Sequence, residues 1–244
     1  MRSKVLPVVI LVFLVGGLMS SVAAAPSSEM NAGMNVGEVM QTPLEGNDKV
    51  VNIAILGGYW WTDDLWKFLD GLPPVSCTVI TSDYTLETLQ QYDAVIIYGN
   101  MYYGHDAIID QYVEQGGRLI ATPWAHHNYW NWDNGSPPAC LPVTGTVTPI
   151  HYDHVVDMTF FNGVRFYRPT DSVGYEQGLR TKAGAFEAAT WNDTYDSAAI
   201  SLWRYGHGKV VYLNMHYITS DCDRAIDYSW GKALITRALI WVLA

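Results

Sequence analysis

The chain has 244 residues, with 14 Lys+Arg against 24 Asp+Glu and a net charge of −10. So acidic a balance leaves no basic surface and excludes nucleic acid as a partner class. Three cysteines, an odd number, exclude a disulfide framework as the main source of stability. Aromatics at 13%, including 10 Trp and 16 Tyr, exceed what core filling demands, so some rings are expected to face a ligand.

Residues 1–24 read as an export signal. Arg2 and Lys4 carry the positive charge, residues 5–19 are apolar, residues 20–25 are small, and Val22-Ala23-Ala24 places cleavage after Ala24. An uncleaved amino-terminal anchor is the alternative, but a fifteen-residue run holding Pro7, Gly16 and Gly17 is a poor permanent span. The expectation is therefore a secreted or extracytoplasmic protein with no membrane segment once the signal is removed. Residues 25–48 lack apolar periodicity and read as a disordered linker. Residues 49–244 are enough for one well-buried α/β domain.

Within that domain, residues 50–56 (VVNIAIL) form a continuous apolar run, the pattern of a strand buried on both faces. A helix follows over 63–72, capped by Thr62. Residues 75–80 give a second strand, 85–91 a short helix, 93–98 (DAVIIY) a third strand and 105–115 a third helix ended by Gly116-Gly117. A fourth strand spans 118–122 and breaks at Pro123. Such alternation predicts parallel strands joined by right-handed crossovers, a doubly wound sheet of the flavodoxin-like kind.

Residues 128–197 are less regular and read as a β-rich insertion, because they lack the contiguous apolar sequence an independent core needs. Residues 143–150 alternate like a strand, and 160–167 (FFNGVRFY) predict a hairpin around Asn162-Gly163. Regularity returns with a hairpin of 198–205 and 209–214 about Gly206-His207-Gly208. A final helix over 225–243, capped by Asp223, carries an apolar stripe with Trp230 and Trp241, which reads as core and not as a cofactor box. Cys77 reads as a buried free thiol. Cys140 and Cys222 fall in predicted loops, where two unpaired thiols and a bridge between them both remain open.

Ligands of open parallel sheets bind beyond the carboxyl ends of the strands. Each predicted strand end carries an aromatic residue with a polar partner: Trp60 and Trp61 after the first, Asp83 and Tyr84 after the second, Tyr102 after the third. Past the fourth come Trp124, His126, His127, Tyr129, Trp130 and Trp132 within nine residues, and past the last come His216 and Tyr217. Flat rings beside hydrogen-bonding groups suit a pyranose, whose apolar face stacks while its hydroxyls demand directional partners. The leading expectation is therefore a carbohydrate-like small ligand bound by Trp60, Trp61, Tyr102, Trp124, His127, Tyr129, Trp130, Trp132 and Tyr217. His126 and His216 are the acid–base candidates, since imidazole can take and give a proton near neutral pH.

Two other readings stay open. One is a protein-interaction module using the aromatic edge. The other is a metal-dependent hydrolase built on His151 and His154 with His126 or His216, assisted by Asp153 or Asp157. No HExxH and no other diagnostic metal spacing occurs, and no cofactor is assigned. A Gly-x-Ser/Cys-x-Gly nucleophile elbow is also missing from the chain.

The order of elements, the run GGRLIATPWAHH and the segment LWRYGHGKVVYLNMH together resemble the class I glutamine amidotransferase-like superfamily, and within it the trehalose-utilisation (ThuA-like) group. The likeness covers residues 50–243, and its best part is Trp203 to Tyr212 followed by His216 and a Trp-bearing last helix. Amidotransferases of this layout carry a cysteine at the fourth-strand elbow and His-Pro-Glu after the last strand. This chain has Thr122-Pro123-Trp124 and His216-Tyr217-Ile218 instead. The resemblance thus implies the fold without a Cys-His-Glu triad.

Overall fold

The computed structural model describes residues 50–57, 63–98, 105–127, 132–145, 150–151, 157–161, 165–166, 173–217 and 224–244. The expected signal and linker, residues 1–48, lie outside them, as do Thr62, Cys222 and Asp223. Among the described residues no helix is long and apolar enough to cross a membrane.

The first half follows the predicted alternation. Strand β1 (Val51–Leu56) leads to α1 (Asp63–Asp70), β2 (Val75–Ile80), α2 (Leu86–Leu89), β3 (Ala94–Ile97), α3 (Asp106–Glu114) and β4 (Arg118–Ala121). Thr85 starts α2 by accepting the Thr88 N–H at 3.2 Å. After β4 the chain turns into α4 (Pro123–His127), with proline at the first helical position, where its missing N–H costs nothing.

The middle of the chain is a series of short strands: β5 (Val143–Thr144), β6 (Ile150–His151), β7 (Met158–Phe160), β8 (Arg165–Phe166), β9 (Tyr175–Glu176), β10 (Arg180–Thr181) and β11 (Phe186–Trp191). They are followed by β12 (Ala198–Tyr205), β13 (Gly208–Leu213) and α5 (Ser229–Leu243). The predicted strand over 143–150 is in fact two, since β5 pairs with β10 and β6 with β9. The strands on either side of Asn162-Gly163, which lie outside the described residues, pair antiparallel as β7 and β8. The last helix begins four residues later than predicted, because Ala225–Asp227 form a 3₁₀ turn before it.

The main sheet has nine strands in the order β2-β1-β3-β4-β13-β12-β11-β7-β8. Its first five are mutually parallel and the rest antiparallel. The fold is therefore α/β with a flavodoxin-like parallel half, and the insertion extends that same sheet. Alternate residues of each parallel strand enter opposite cores. Ile53 and Ile55 of β1, with Ile96, Ile120 and Val211, meet α1 and α5 on one face. Ala54 and Leu56, with Val95, Ile97, Leu119 and Val210, meet α3 on the other.

The β12–β13 turn is fixed by contact with α3. Gly206 has φ +58, and a Cβ there would lie 2.7 Å from the Glu114 backbone. The His207 N–H donates to the Glu114 carbonyl at 2.9 Å. Trp230 is 5% exposed within the first core, as its place in the apolar stripe predicted. Cys77 and Cys140 are free thiols, and burial pushes the Cys77 thiol up to about 12.

Candidate functional site

The site is built where β4 and β13 end side by side. Thr122 stands at the elbow position, fully buried, and its Oγ1 donates back to the carbonyls of Ile97 at 3.3 Å and Tyr98 at 3.2 Å. A hydroxyl turned into the β3 backbone has no path to attack a substrate. Thr122 therefore supports the turn after β4.

Helix α4 distributes the side chains that follow. Successive residues on a helix diverge by about 100°, so positions three apart share a side and adjacent ones do not. Trp124 and His127 accordingly meet edge to face, with ring centroids 5.4 Å apart. Trp124 also lies 5.2 Å from the His216 ring. His126, between them in sequence, is 3% exposed.

The partner of His126 is Glu176 on β9, which packs against α4. Glu176 is wholly buried, and its Oε1 lies 3.2 Å from His126 Nδ1 and 3.8 Å from His127 Nδ1. Its Oε2 accepts the Tyr212 hydroxyl at 2.8 Å. A carboxylate taken fully out of water persists only with such partners. Burial and the Glu176 charge hold the Tyr212 hydroxyl well above its ordinary pKa, so it stays protonated and donates.

Asn214, at the end of β13, fixes the backbone of Glu176. Its Oδ1 accepts the Glu176 N–H at 2.9 Å, and its Nδ2 donates to the carbonyls of Glu176 at 2.8 Å and Ala198 at 2.7 Å. Sequence reasoning missed Glu176 and Asn214. The available signal was a single acid flanked by Tyr175 and glycines in the uncharged stretch VGYEQG.

The other predicted site residues divide into two groups. His216 is fully buried: its N–H donates to the Gly174 carbonyl at 2.7 Å, and its carbonyl accepts from Ala225 at 2.7 Å. Tyr217 is also fully buried, with its hydroxyl on the Gly231 carbonyl at 3.1 Å. Trp132 is 4% exposed and donates its indole N–H to Ala125 at 3.1 Å. Tyr217 and Trp132 are therefore core groups whose polar atoms are committed to backbone. Trp60, Trp61, Tyr102, Tyr129, Trp130, Asp153, His154 and the side chain of His151 lie outside the described residues. Among the described residues no three His, Cys, Asp or Glu side chains are grouped to hold a metal ion.

A second polar cluster sits on the same edge. His105, preceding α3, places Nδ1 2.7 Å from Asp133 and Nε2 3.6 Å from Asp83, with the Tyr84 ring 5.7 Å away. The hydrogen bond to Asp133, with the negative charge around it, raises the His105 pKa. It links the segment after β2 to the segment after α4.

No protein-family model matches the chain, and no curated protein sequence does either. Its shape does have relatives. The cytoplasmic protein STM1381 of Salmonella typhimurium LT2 is similar at a TM-score of 0.60 and 15% identity, covering 79% of this chain and 99% of its own. The cytoplasmic protein STM3548 of Salmonella typhimurium matches at 0.59 and 15%, covering 78% and 98%. A GMP synthase-like protein of Thermoplasma acidophilum matches at 0.51 and 11%, covering 81% and 96%. At these identities the likeness is one of fold alone. The two Salmonella proteins run against the secreted location read from residues 1–24, and that location is withdrawn. The apolar run 5–19 is left without an assigned role.

Proposed function

We propose that this chain is an amidotransferase-like domain without the glutaminase nucleophile that binds a carbohydrate-like small ligand at the carboxyl edge of its parallel strands, beside β4 and β13. The observation that carries the reading is Trp124. Its half-buried ring stands at the end of β4 between His127 and His216, and no described residue accepts its indole N–H. A ring face next to an unsatisfied donor and two imidazoles suits a ligand with one apolar face and a rim of hydroxyls. Within the superfamily, the likeness of the Trp203–Tyr212 hairpin and of His216 favours the ThuA-like group. Should the site prove reactive, His126 is the residue to carry protons.

A glycan array probed with the full chain tests the proposal, followed by calorimetry of the best neutral glycan against wild type and Trp124→Ala. The expected result is binding that weakens at least roughly tenfold on truncation, about 1.4 kcal/mol, with the circular dichroism of the fold retained. An array without binders, or an affinity indifferent to Trp124, overturns the reading.

A further inference from the structure

Resting on the carbohydrate reading, we infer that Glu176 is a positioning residue for His126: its carboxylate holds the Nδ1–H of that imidazole, and the Nε2 lone pair accepts a hydrogen bond from a hydroxyl of a neutral ligand. His216, the histidine that the family layout brings to the fore, is a covered packing residue.

The argument starts from acceptor bookkeeping. An ionised carboxylate only accepts, and Oε2 of Glu176 is already occupied by the Tyr212 hydroxyl. Oε1 is left for a donor, and His126 Nδ1 at 3.2 Å is within hydrogen-bond reach whereas His127 Nδ1 at 3.8 Å is not. A neutral imidazole has one N–H. If the carboxylate fixes it on Nδ1, Nε2 carries the lone pair on the far side of the ring.

Rigidity turns this preference into a device. Glu176 has no exposed surface, and both polar groups of its backbone are hydrogen-bonded to the single side chain of Asn214. The acceptor therefore cannot follow the imidazole if it rotates. Among the described residues Glu176 is the one group that hydrogen-bonds to the His126 ring, so Nε2 is committed to none of them. His216 is placed differently. Both of its ring nitrogens are buried, and Trp124 lies across it at 5.2 Å.

The same geometry sets the ligand class. A lone pair backed by a buried carboxylate selects an O–H donor and disfavours an acidic sugar, whose own carboxylate would add a second anion near Glu176. The preferred ligand is thus a neutral polyhydroxylated molecule.

The test is the histidine tautomer in the full-length protein without ligand. Long-range 1H–15N correlation of protein labelled at histidine separates the Nδ1–H form, the Nε2–H form and the imidazolium, and His126→Gln assigns the signals. At neutral pH the expected form is Nδ1–H. It is expected to shift toward Nε2–H in Glu176→Gln, whose amide can donate to Nδ1, together with roughly tenfold weaker binding of a neutral glycan. An Nε2–H or imidazolium His126 in the wild type overturns the inference even where a glycan binds. An Nδ1–H signal in a protein that binds no glycan overturns the carbohydrate reading and leaves the role of Glu176 in place. The wild-type spectrum decides the tautomer alone if the variant does not fold.

Discussion

The parallel and antiparallel halves of the main sheet carry different parts of the site. Strands β1, β3 and β4 sit between two helical layers, and every residue of β3 is buried. The antiparallel half is covered less evenly. Strand β11 is exposed at its first two residues, and its Phe186 pairs at 5.3 Å with the ring of Phe161, the residue after β7, both of them exposed. The parallel half supplies the platform, namely the Thr122 turn, α4 and the β13 end. The insertion supplies Glu176, the carboxylate against which α4 sets its histidine. A site divided this way takes its position from one half and its charge from the other.

The largest expected effect tests the platform. Ile96→Ala removes a fully buried side chain from the middle of β3 and should cost about 2–5 kcal/mol in denaturant unfolding. Phe186→Ala, on the antiparallel half, should stay within about 0.5 kcal/mol. Equal losses at the two positions would show that the halves do not differ as their burial indicates.

Next in size is the junction. Glu176→Ala leaves Tyr212 and His126 facing a buried gap, and breaking a buried pair in this way should cost about 3 kcal/mol. Tyr212→Phe removes one donor to Glu176 and should cost about 1–2 kcal/mol, less than the removal of Glu176 itself. A Tyr212→Phe loss as large as that of Glu176→Ala would mean that the hydroxyl, and not the imidazole, stabilises the carboxylate. Thermal unfolding of both variants measures the difference.

The same division explains what could be read from the sequence. The parallel half announces itself, because a strand buried on both faces must be apolar without alternation, as in VVNIAIL and DAVIIY. The strand ends followed from that pattern, and with them the edge where Trp124, His127 and His216 gather. The insertion offers no such regularity. Its strands are two or three residues long up to β10, too short for period-two alternation to register. Glu176 was hidden for that reason, since its importance comes from a partner fifty positions away on α4. The wall of rings read from Trp124 to Trp132 was likewise partly an effect of counting. Pro123 opens a helix there, and Trp132 packs beneath it with its N–H on Ala125.

The smallest effect lies at the rim, where His105 bridges Asp83 and Asp133 beside Tyr84 and near Asp106. Its pKa in the folded chain is raised above the ordinary 6.5, first by the hydrogen bond to Asp133. The sign follows from linkage: the stabilisation is fully present below about 6.5 and fades as pH climbs through the raised folded value. Because the side chains of Asp83 and Asp133 are 74% and 60% exposed, the contribution should be that of a surface pair, about 0.2–1 kcal/mol, and should weaken with salt. Thermal unfolding at pH 6 and pH 8 should therefore show a small loss of stability at the higher pH that His105→Gln removes. If the variant retains the full slope, the titration belongs to another group.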